Sequence, residues 1–228
     1  MIKILYKKSK NFEKKFEFYL NLRRKYPYSK INLVKKVLKD IRKTGDKSLL
    51  KYEKKFNNLK VLNKNQITFS KSEIKTNIKK LDFDVKNSID LAFKRISIFH
   101  KNQKFNNFKI KDNYNNSFAY RSKPINKIGV YVPGGRASYP SSVLMNCIPA
   151  MIAGVKDIYM TVPSTNGYIK PGVLYAAEKC KVKKIFKLGG AQAIAAFAFG
   201  TKTVQKVDKI VGPGNEYVAL AKKEISGT

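Results

Sequence analysis

Two patterns of apolar residues divide the chain near residue 123. Upstream of it, apolar residues recur at the three- and four-residue spacing that places them on one face of an α-helix. The clearest case is segment 31–50, INLVKKVLKDIRKTGDKSLL, whose apolar face consists of Leu33, Val34, Val37, Leu38 and Ile41. Gly45 has the position of a residue that ends this helix, and Asp46 that of a cap for the next one.

Similar patterns predict helices over 70–80 and 85–103. Residues 105–123 are polar and rich in asparagine, and they are interpreted either as a long loop or as a hairpin that ends at Pro124. Residues 1–123 are therefore predicted to form a helical N-terminal region. The simplest role for such helices is that of a packing domain or arm.

Downstream, short apolar runs alternate with helical patterns. Strands are predicted at 128–132, 157–162, 184–188 and 209–212, and helices at 141–153, 171–180, 191–199 and 215–225. Regular alternation of strands and helices with short links is typical of a parallel sheet covered on both faces. The expected fold class is therefore α/β, with a doubly wound parallel sheet over 124–228 preceded by the helical region over 1–123.

The charge of the chain suggests a polyanionic partner but does not specify one. The 228 residues include 48 Lys and Arg against 15 Asp and Glu, a formal net charge of +33. Proteins that bind nucleic acid cluster their basic residues on one surface. Here the paired lysines recur along the whole chain, from Lys14 and Lys15 to Lys222 and Lys223. The excess is interpreted as drifted composition on solvated faces, which disfavours a nucleic-acid partner.

Targeting and cysteine patterns point to an ordinary soluble protein. Cys147 and Cys180 are isolated from each other in sequence, so no disulfide framework is expected. The N-terminus turns charged after a few residues, and no apolar run is long enough to cross a membrane. The expectation is a cytoplasmic protein without membrane contact.

Glycines follow three of the predicted strands, in VPGG at 132–135, LGGAQA at 188–193 and VGPGN at 211–215. In a doubly wound sheet, ligands bind beyond the carboxyl ends of the strands, where loops lead into helix N-termini. Glycine admits positive φ and close backbone approach, and a helix N-terminus favours a phosphate-bearing ligand. None of the loops is a G-x-G-x-x-G motif or a P-loop. The alternative is that each glycine only makes a tight turn.

Three side chains beside these glycines are candidates for binding the ligand. Tyr131 can stack or hydrogen-bond, and Gln192 and Asn215 each carry a donor and an acceptor at the mouths of their loops. The alternative for Gln192 and Asn215 is helix capping and loop bracing.

Taken together, GVYVPGGRASYPSSVLMNCIPAMIAGV, LGGAQAIAAFAFGT and VDKIVGPGNEYVALAKKEISG resemble the NAD-binding half of the histidinol dehydrogenase family. The stretches IRKTGDKSLLKYEKKF and RISIFHKNQ resemble the family further upstream. The resemblance implies a Rossmann-like domain that binds NAD through Tyr131, Gln192 and Asn215. It also implies the last step of histidine biosynthesis, in which L-histidinol is oxidised to L-histidine by two hydride transfers that consume two NAD.

The family also uses zinc to hold its substrate and a Glu-His pair as acid and base, all beyond the G-P-G-N stretch. His100 is the only histidine of this chain, and it lies upstream on a predicted helix where packing is its simplest role. No catalytic residue and no metal ligand is therefore predicted here, and zinc is expected only in the complete enzyme.

Compared with the family, the chain is expected to be short by roughly half and inactive alone. Its expected partners are NAD, L-histidinol, and either a homo-oligomer such as a homodimer or the missing C-terminal half. The alternatives are an NAD-binding module or gene remnant without catalysis, and a basic nucleic-acid binder supported by charge alone.

Overall fold

The computed structural model describes residues 4–24, 28–57, 64–103, 106–134, 139–164 and 167–227, and the statements below concern these residues. The helices are α1 (Phe12–Arg24), α2 (Tyr28–Thr44), α3 (Asp46–Asn57), α4 (Lys71–Ile78), α5 (Phe83–Lys101), α6 (Pro140–Ala153), α7 (Pro171–Lys179), α8 (Gly190–Phe199) and α9 (Glu216–Ile225). The strands are β1 (Phe108–Lys111), β2 (Ser117–Tyr120), β3 (Lys127–Tyr131), β4 (Asp157–Thr161), β5 (Lys184–Phe186) and β6 (Lys209–Val211). A short 3-10 helix spans Lys64–Ile67.

The sheet is parallel, and its strands lie in the order β5-β4-β3-β6. Val130 of β3 lies opposite Met160 of β4 on one side and Val211 of β6 on the other. The chain therefore runs outward from β3 to β5 and then crosses back to the other side of β3. The strand order reverses between β3 and β6, which is where α/β folds of this kind open a crevice for ligands.

Both faces of the sheet are covered, as expected for buried parallel strands. Val130, Met160 and Ile185 contribute to one core with α6 and α7. Tyr131, Tyr159 and Phe186 contribute to the other core with α8 and α9. Because successive strand residues point to opposite faces, the apolar runs supply both cores at once. The predicted α/β class and the doubly wound parallel sheet are confirmed.

The N-terminal helices join the same two cores. Val34, Val37 and Ile41 on the predicted apolar face of α2 are buried against α8 and α9, and Ile89 of α5 is buried in the core on the opposite face. The boundary predicted between 123 and 124 falls between β2 and β3. Helices of the N-terminal region therefore lie on both sides of the sheet, packed against α8 and α9 on one side and against α6 and α7 on the other.

The ends of these helices follow their sequence signals with one exception. Gly45 ends α2 with a left-handed φ of +56°. Ser70 caps α4 in a capping box with Glu73, and Asp82 caps α5. The cap predicted at Asp46 is wrong, because α3 begins at Asp46 itself. Its carboxylate accepts hydrogen bonds from the Thr203 backbone and hydroxyl, which lie beyond the end of α8.

The asparagine-rich stretch is a hairpin rather than a long loop. Strands β1 and β2 pair antiparallel, with Lys109 opposite Ala119, and the Asp112 side chain accepts from backbone groups of the turn. Every residue of both strands is exposed. Phe108 and Tyr120 stack on each other across the pair.

The two cysteines are free and buried. None of the helices within the described ranges is long and apolar enough to cross a membrane.

Candidate functional site

A cavity of about 580 Å³ lies at the carboxyl ends of the strands. Its lining residues come from the end of β3, from the loops after β3, β4 and β6, and from helices α2, α3, α8 and α9: Leu33, Val34, Val37, Phe56, Asn57, Tyr131, Pro133, Gly134, Pro163, Ser164, Gly190, Ala191, Gln192, Asn215 and Tyr217. The structure therefore brings Tyr131, Gln192 and Asn215 to one cavity, together with residues of all three predicted glycine loops. Gly135 of the first loop lies outside the described residues.

The lining of the cavity is partly apolar and partly polar. Leu33, Val34 and Val37 from α2 and Phe56 from α3 form an apolar wall, and the polar lining groups come from the strand ends and from Asn57 of α3. None of the described lining residues is charged, although the chain carries a formal net charge of +33. A cavity of this kind suits a ligand with a flat apolar ring and neutral polar groups.

Two of the glycines allow neighbouring loops to approach each other closely. Pro163, after β4, lies between Gly134 and Gly189. A Cβ on Gly134 would overlap the Pro163 carbonyl oxygen, and a Cβ on Gly189 would lie 2.7 Å from Pro163 Cγ. Close approach between loops is thus a sufficient reason for glycine at both positions.

Tyr131 ends β3 and lines the cavity, and only 3% of it is exposed. Its hydroxyl oxygen accepts a hydrogen bond from the Gly190 backbone N–H, at 3.1 Å. Burial raises the pKa of this hydroxyl to about 12, so it keeps its proton at neutral pH. That proton can be donated to a ligand.

Gln192 lies in the first turn of α8 and is buried, with 1% exposed. Its Nε2 group donates to Oε1 of Glu53 at 2.9 Å. The bracing role that the sequence left open is therefore present in the structure, alongside the contribution of this residue to the cavity lining.

Asn215 is the N-cap of α9, and its Oδ1 accepts from the Val218 backbone N–H at 3.1 Å. The capping role is therefore also present. The cap uses Oδ1 alone, so the Nδ2 group is the part of this exposed side chain that can donate to a ligand.

The residue that sequence reasoning missed is Glu53 on α3. It is 1% exposed, and its Oε1 accepts from the Gly189 backbone N–H at 3.0 Å as well as from Gln192. Its Oε2 accepts from Asn57 Nδ2 at 2.6 Å. Burial raises the pKa of this carboxyl to about 7, against the opposing effect of these hydrogen bonds.

A sequence signal for Glu53 existed. Leu49, Tyr52 and Glu53 have the spacing of one helix face, and all three are buried. An acidic residue on the apolar face of a predicted helix indicates a buried polar contact, because such a group needs hydrogen-bond partners.

The N-terminus of α8 is already occupied by side chains of the chain itself. The Gly189 N–H donates to Glu53 and the Gly190 N–H donates to Tyr131. A carboxylate thus holds the position where an anion would sit at a helix N-terminus. Neither amide is free to bind a ligand phosphate at this loop.

No group of three or more His, Cys, Asp or Glu residues that could hold a metal ion occurs within the described ranges. His100 lies on α5, where its Nδ1 contacts Gln103 Oε1 at 2.6 Å. The described residues therefore do not fit a zinc site.

Fold and cavity together define a doubly wound α/β protein with a ligand cavity at the point where the strand order reverses. Residues 23–228 match the sequence profile of the histidinol dehydrogenase family. The chain therefore belongs to the histidinol dehydrogenase family.

Two of the curated relatives align with the whole of this chain. Histidinol dehydrogenase of Pelagibacter ubique (strain HTCC1062) is 50% identical over 228 residues, covering 100% of this chain and 52% of the relative. The enzyme of the same name from Clostridium acetobutylicum is 40% identical, with the same coverage of 100% and 52%. The chain thus spans about half the length of the curated relatives it matches.

A solved structure has the same fold. The crystal structure of histidinol dehydrogenase from Elizabethkingia anophelis superposes with a TM-score of 0.81 at 40% identity, covering 85% of this chain and 44% of that one.

Proposed function

We propose that residues 1–228 form the NAD-binding half of a histidinol dehydrogenase. The complete enzyme would oxidise L-histidinol to L-histidine with two NAD, in the last step of histidine biosynthesis. Family membership supports this function. The observation that carries the cofactor assignment is that Tyr131, Gln192 and Asn215 line the same cavity at the reversal of strand order.

The cavity has the size and polarity for part of a dinucleotide. Its volume of about 580 Å³ lies within the usual range of ligand pockets. A heterocyclic ring of NAD packs on the apolar wall formed by Val34, Val37 and Phe56. The Tyr131 hydroxyl and the Asn215 Nδ2 group donate hydrogen bonds to polar atoms of the cofactor. NAD itself would supply the hydride-accepting ring.

Catalysis needs groups that these residues do not provide. Hydride transfer from an alcohol requires a base for the hydroxyl proton and a means of fixing the substrate beside the nicotinamide. Since the described residues contain no metal cluster, zinc and the acid-base pair would come from a second half of the enzyme. Residues 1–228 by themselves are therefore proposed to bind NAD without turning over L-histidinol.

A protein partner would cover the apolar surface that this half exposes. Leu91, Ile98 and Phe99 of α5 are each more than half exposed, as are Phe108 and Phe118 of the hairpin. Exposed apolar groups of this extent are typical of interaction surfaces. The partner would be a second copy of the chain or a polypeptide that carries the remaining half.

Calorimetric titration of residues 1–228 with NAD tests the cofactor assignment. We expect saturable binding of one NAD per chain, and no NADH formation on adding L-histidinol with or without zinc. Addition of a C-terminal half from a relative should restore histidinol-dependent NADH formation. Absence of NAD binding would contradict the proposed function, and turnover by residues 1–228 alone would contradict the proposed division of labour.

A further inference from the structure

We propose that Glu53 is a positioning residue that orients the Asn57 and Gln192 side-chain amides, so that the cavity presents two amide oxygens and selects ligand groups that donate N–H. The inference rests on the proposed function, since NAD is the ligand considered. It adds two residues to the site, Glu53 and Asn57, and it specifies which chemical group of the ligand lies beside them.

The first step is the direction of the hydrogen bonds. An ionised carboxylate only accepts hydrogen bonds, whereas a side-chain amide has a donating NH₂ and an accepting oxygen. Gln192 Nε2 donates to Oε1 of Glu53 and Asn57 Nδ2 donates to Oε2. Both NH₂ groups are thus directed to Glu53, which leaves the two amide oxygens for other donors.

The second step is the location of those amides. Asn57 and Gln192 both line the cavity, whereas Glu53 lies behind them. A Cβ placed on Gly190 would lie 2.8 Å from Gln192 Oε1, so this oxygen lies beside a glycine that also lines the cavity. Asn57 Nδ2 lies against Gly189, where a Cβ would be 3.0 Å away. Glu53, the two amides and the glycine turn therefore form one connected unit.

The third step is the charge of Glu53. Few charged groups on the neighbouring elements bear on this charge. Helix α8 carries no charged side chain, and Tyr131 of β3 is neutral at physiological pH. Asp40 of α2 and Lys187 after β5 bond other residues, the Tyr52 hydroxyl and Glu73 respectively. Three neutral donors stabilise the ionised form of Glu53, and burial opposes it and raises its pKa to about 7.

These steps specify the chemistry of the ligand group. Two oxygens backed by a buried carboxylate attract a neutral N–H donor and repel an anion. NAD carries two such donors, the exocyclic amine of its adenine and the NH₂ of its nicotinamide carboxamide. Its pyrophosphate is excluded from this side of the cavity.

The test compares NAD with two analogues that each lose one of these donors and add no charge. Nicotinamide hypoxanthine dinucleotide lacks the adenine amine, and 3-acetylpyridine adenine dinucleotide lacks the carboxamide NH₂. We expect one analogue to bind the wild-type chain about tenfold more weakly than NAD, and the analogue that does so identifies the donor. This measurement needs no substitution and holds even where a variant fails to fold.

Glu53→Gln adds a test of positioning. A glutamine brings its own NH₂, so it cannot accept from both amides, and one of them loses its orientation. We expect NAD affinity to fall about tenfold and the preference for NAD over the weaker analogue to disappear. Wild-type affinity should also fall as the pH is lowered through about 7, whereas that of Glu53→Gln should stay level. Asp46→Asn is the matched control, because Asp46 is a buried carboxylate of the same helix that bonds Thr203 instead.

The outcomes separate this inference from the cofactor assignment. Equal binding of NAD and both analogues by the wild-type chain would overturn the inference and leave NAD binding in place. Retention of the analogue preference in Glu53→Gln would show that another residue reads the donor, which also overturns it. If the wild-type chain binds none of the dinucleotides, both the proposed function and the role of Glu53 are wrong.

Discussion

Two loops that lead into helices at the same cavity are held in different ways. Where the loop after β5 enters α8, Gly189 and Gln192 both donate to Glu53, which lies 136 and 139 residues earlier in the chain. In the loop after β6, Asn215 bonds the N–H of Val218, three residues later. The first loop is buried and depends on α3, whereas the second is exposed and held by its own sequence.

Because of this difference, a substitution in the loop after β5 is expected to affect both folding and ligand binding. A substitution in the loop after β6 is expected to affect binding with little effect on folding. A change in the buried loop disturbs the partners of Glu53, because buried polar groups that lose a hydrogen bond cost stability. A change at Asn215 removes one helix cap and leaves the core intact. The sequence predicts that alanine at Gln192 and at Asn215 weakens NAD binding more than folding. The contacts support that expectation for Asn215 and predict a combined loss for Gln192.

The largest expected effect comes from Glu53→Ala. The substitution leaves the Gly189 N–H and the amides of Asn57 and Gln192 without their acceptor. We expect unfolding free energy to fall by about 3 kcal/mol, because buried donors keep their desolvation cost when their partner is removed. Urea unfolding at neutral pH measures the loss. A loss no larger than that of a substitution at an exposed lysine such as Lys54 would mean that the loop after β5 does not depend on α3.

The pH dependence of stability gives a second test of the role of Glu53 at the loop after β5. Because Glu53 has a pKa of about 7 in the folded chain against an ordinary value of 4.5, the folded state binds more protons between these values. The pH-dependent part of its contribution to stability is therefore complete below about pH 4.5 and is lost as the pH rises through about 7. The loss amounts to about 3 kcal/mol.

Other carboxyl groups titrate in the opposite sense. The hydrogen bond from Lys179 lowers the pKa of Asp90, so the stability that Asp90 contributes is lost as the pH falls. The difference in unfolding free energy between wild type and Glu53→Gln isolates the contribution of Glu53. A difference that stays constant from acid to neutral pH would contradict the raised pKa.

A smaller effect on stability is expected for Gln192→Ala. The substitution removes one of the two donors to Oε1 of Glu53 and leaves a buried carboxylate less satisfied. We expect a loss of about 2 kcal/mol together with about tenfold weaker NAD binding. Urea unfolding and calorimetry on the same preparation decide this. Unchanged stability with weakened binding would show that Gln192 contacts NAD without bracing its loop.

Asn215→Ala is expected to change stability least. Loss of the cap to Val218 costs about 1 kcal/mol, as is usual for an N-cap changed to alanine. NAD binding should weaken about tenfold, because the Nδ2 donor is lost. Asn215→Asp is the matched variant, since it keeps the capping oxygen and removes the NH₂ donor. If Asn215→Asp binds NAD as tightly as wild type, then Asn215 serves only as a cap.

Local signals accounted for the elements of the fold. The strands and helices predicted downstream of 124 begin and end within two residues of those in the structure, from β3 at Lys127–Tyr131 to α9 at Glu216–Ile225. Apolar periodicity and the helix end at Gly45 are properties of short stretches, which is why the sequence reveals them. Asp46 was misassigned as a cap because α3 begins at this residue, and its bond to Thr203 could not be predicted because Thr203 is distant in the chain.

The sequence by itself determined the fold class, the three loops at the strand ends, and Tyr131, Gln192 and Asn215 as candidates, because each follows from residue types within one loop or element. Only the tertiary structure decided what Gly189 and Gly190 bind, which direction the Gln192 amide takes, and that Glu53 joins them. Those contacts depend on burial. A carboxylate removed from water must take its hydrogen bonds from whichever groups the fold places beside it, and here two of its three donors, Gly189 and Gln192, lie 136 and 139 residues away in the chain.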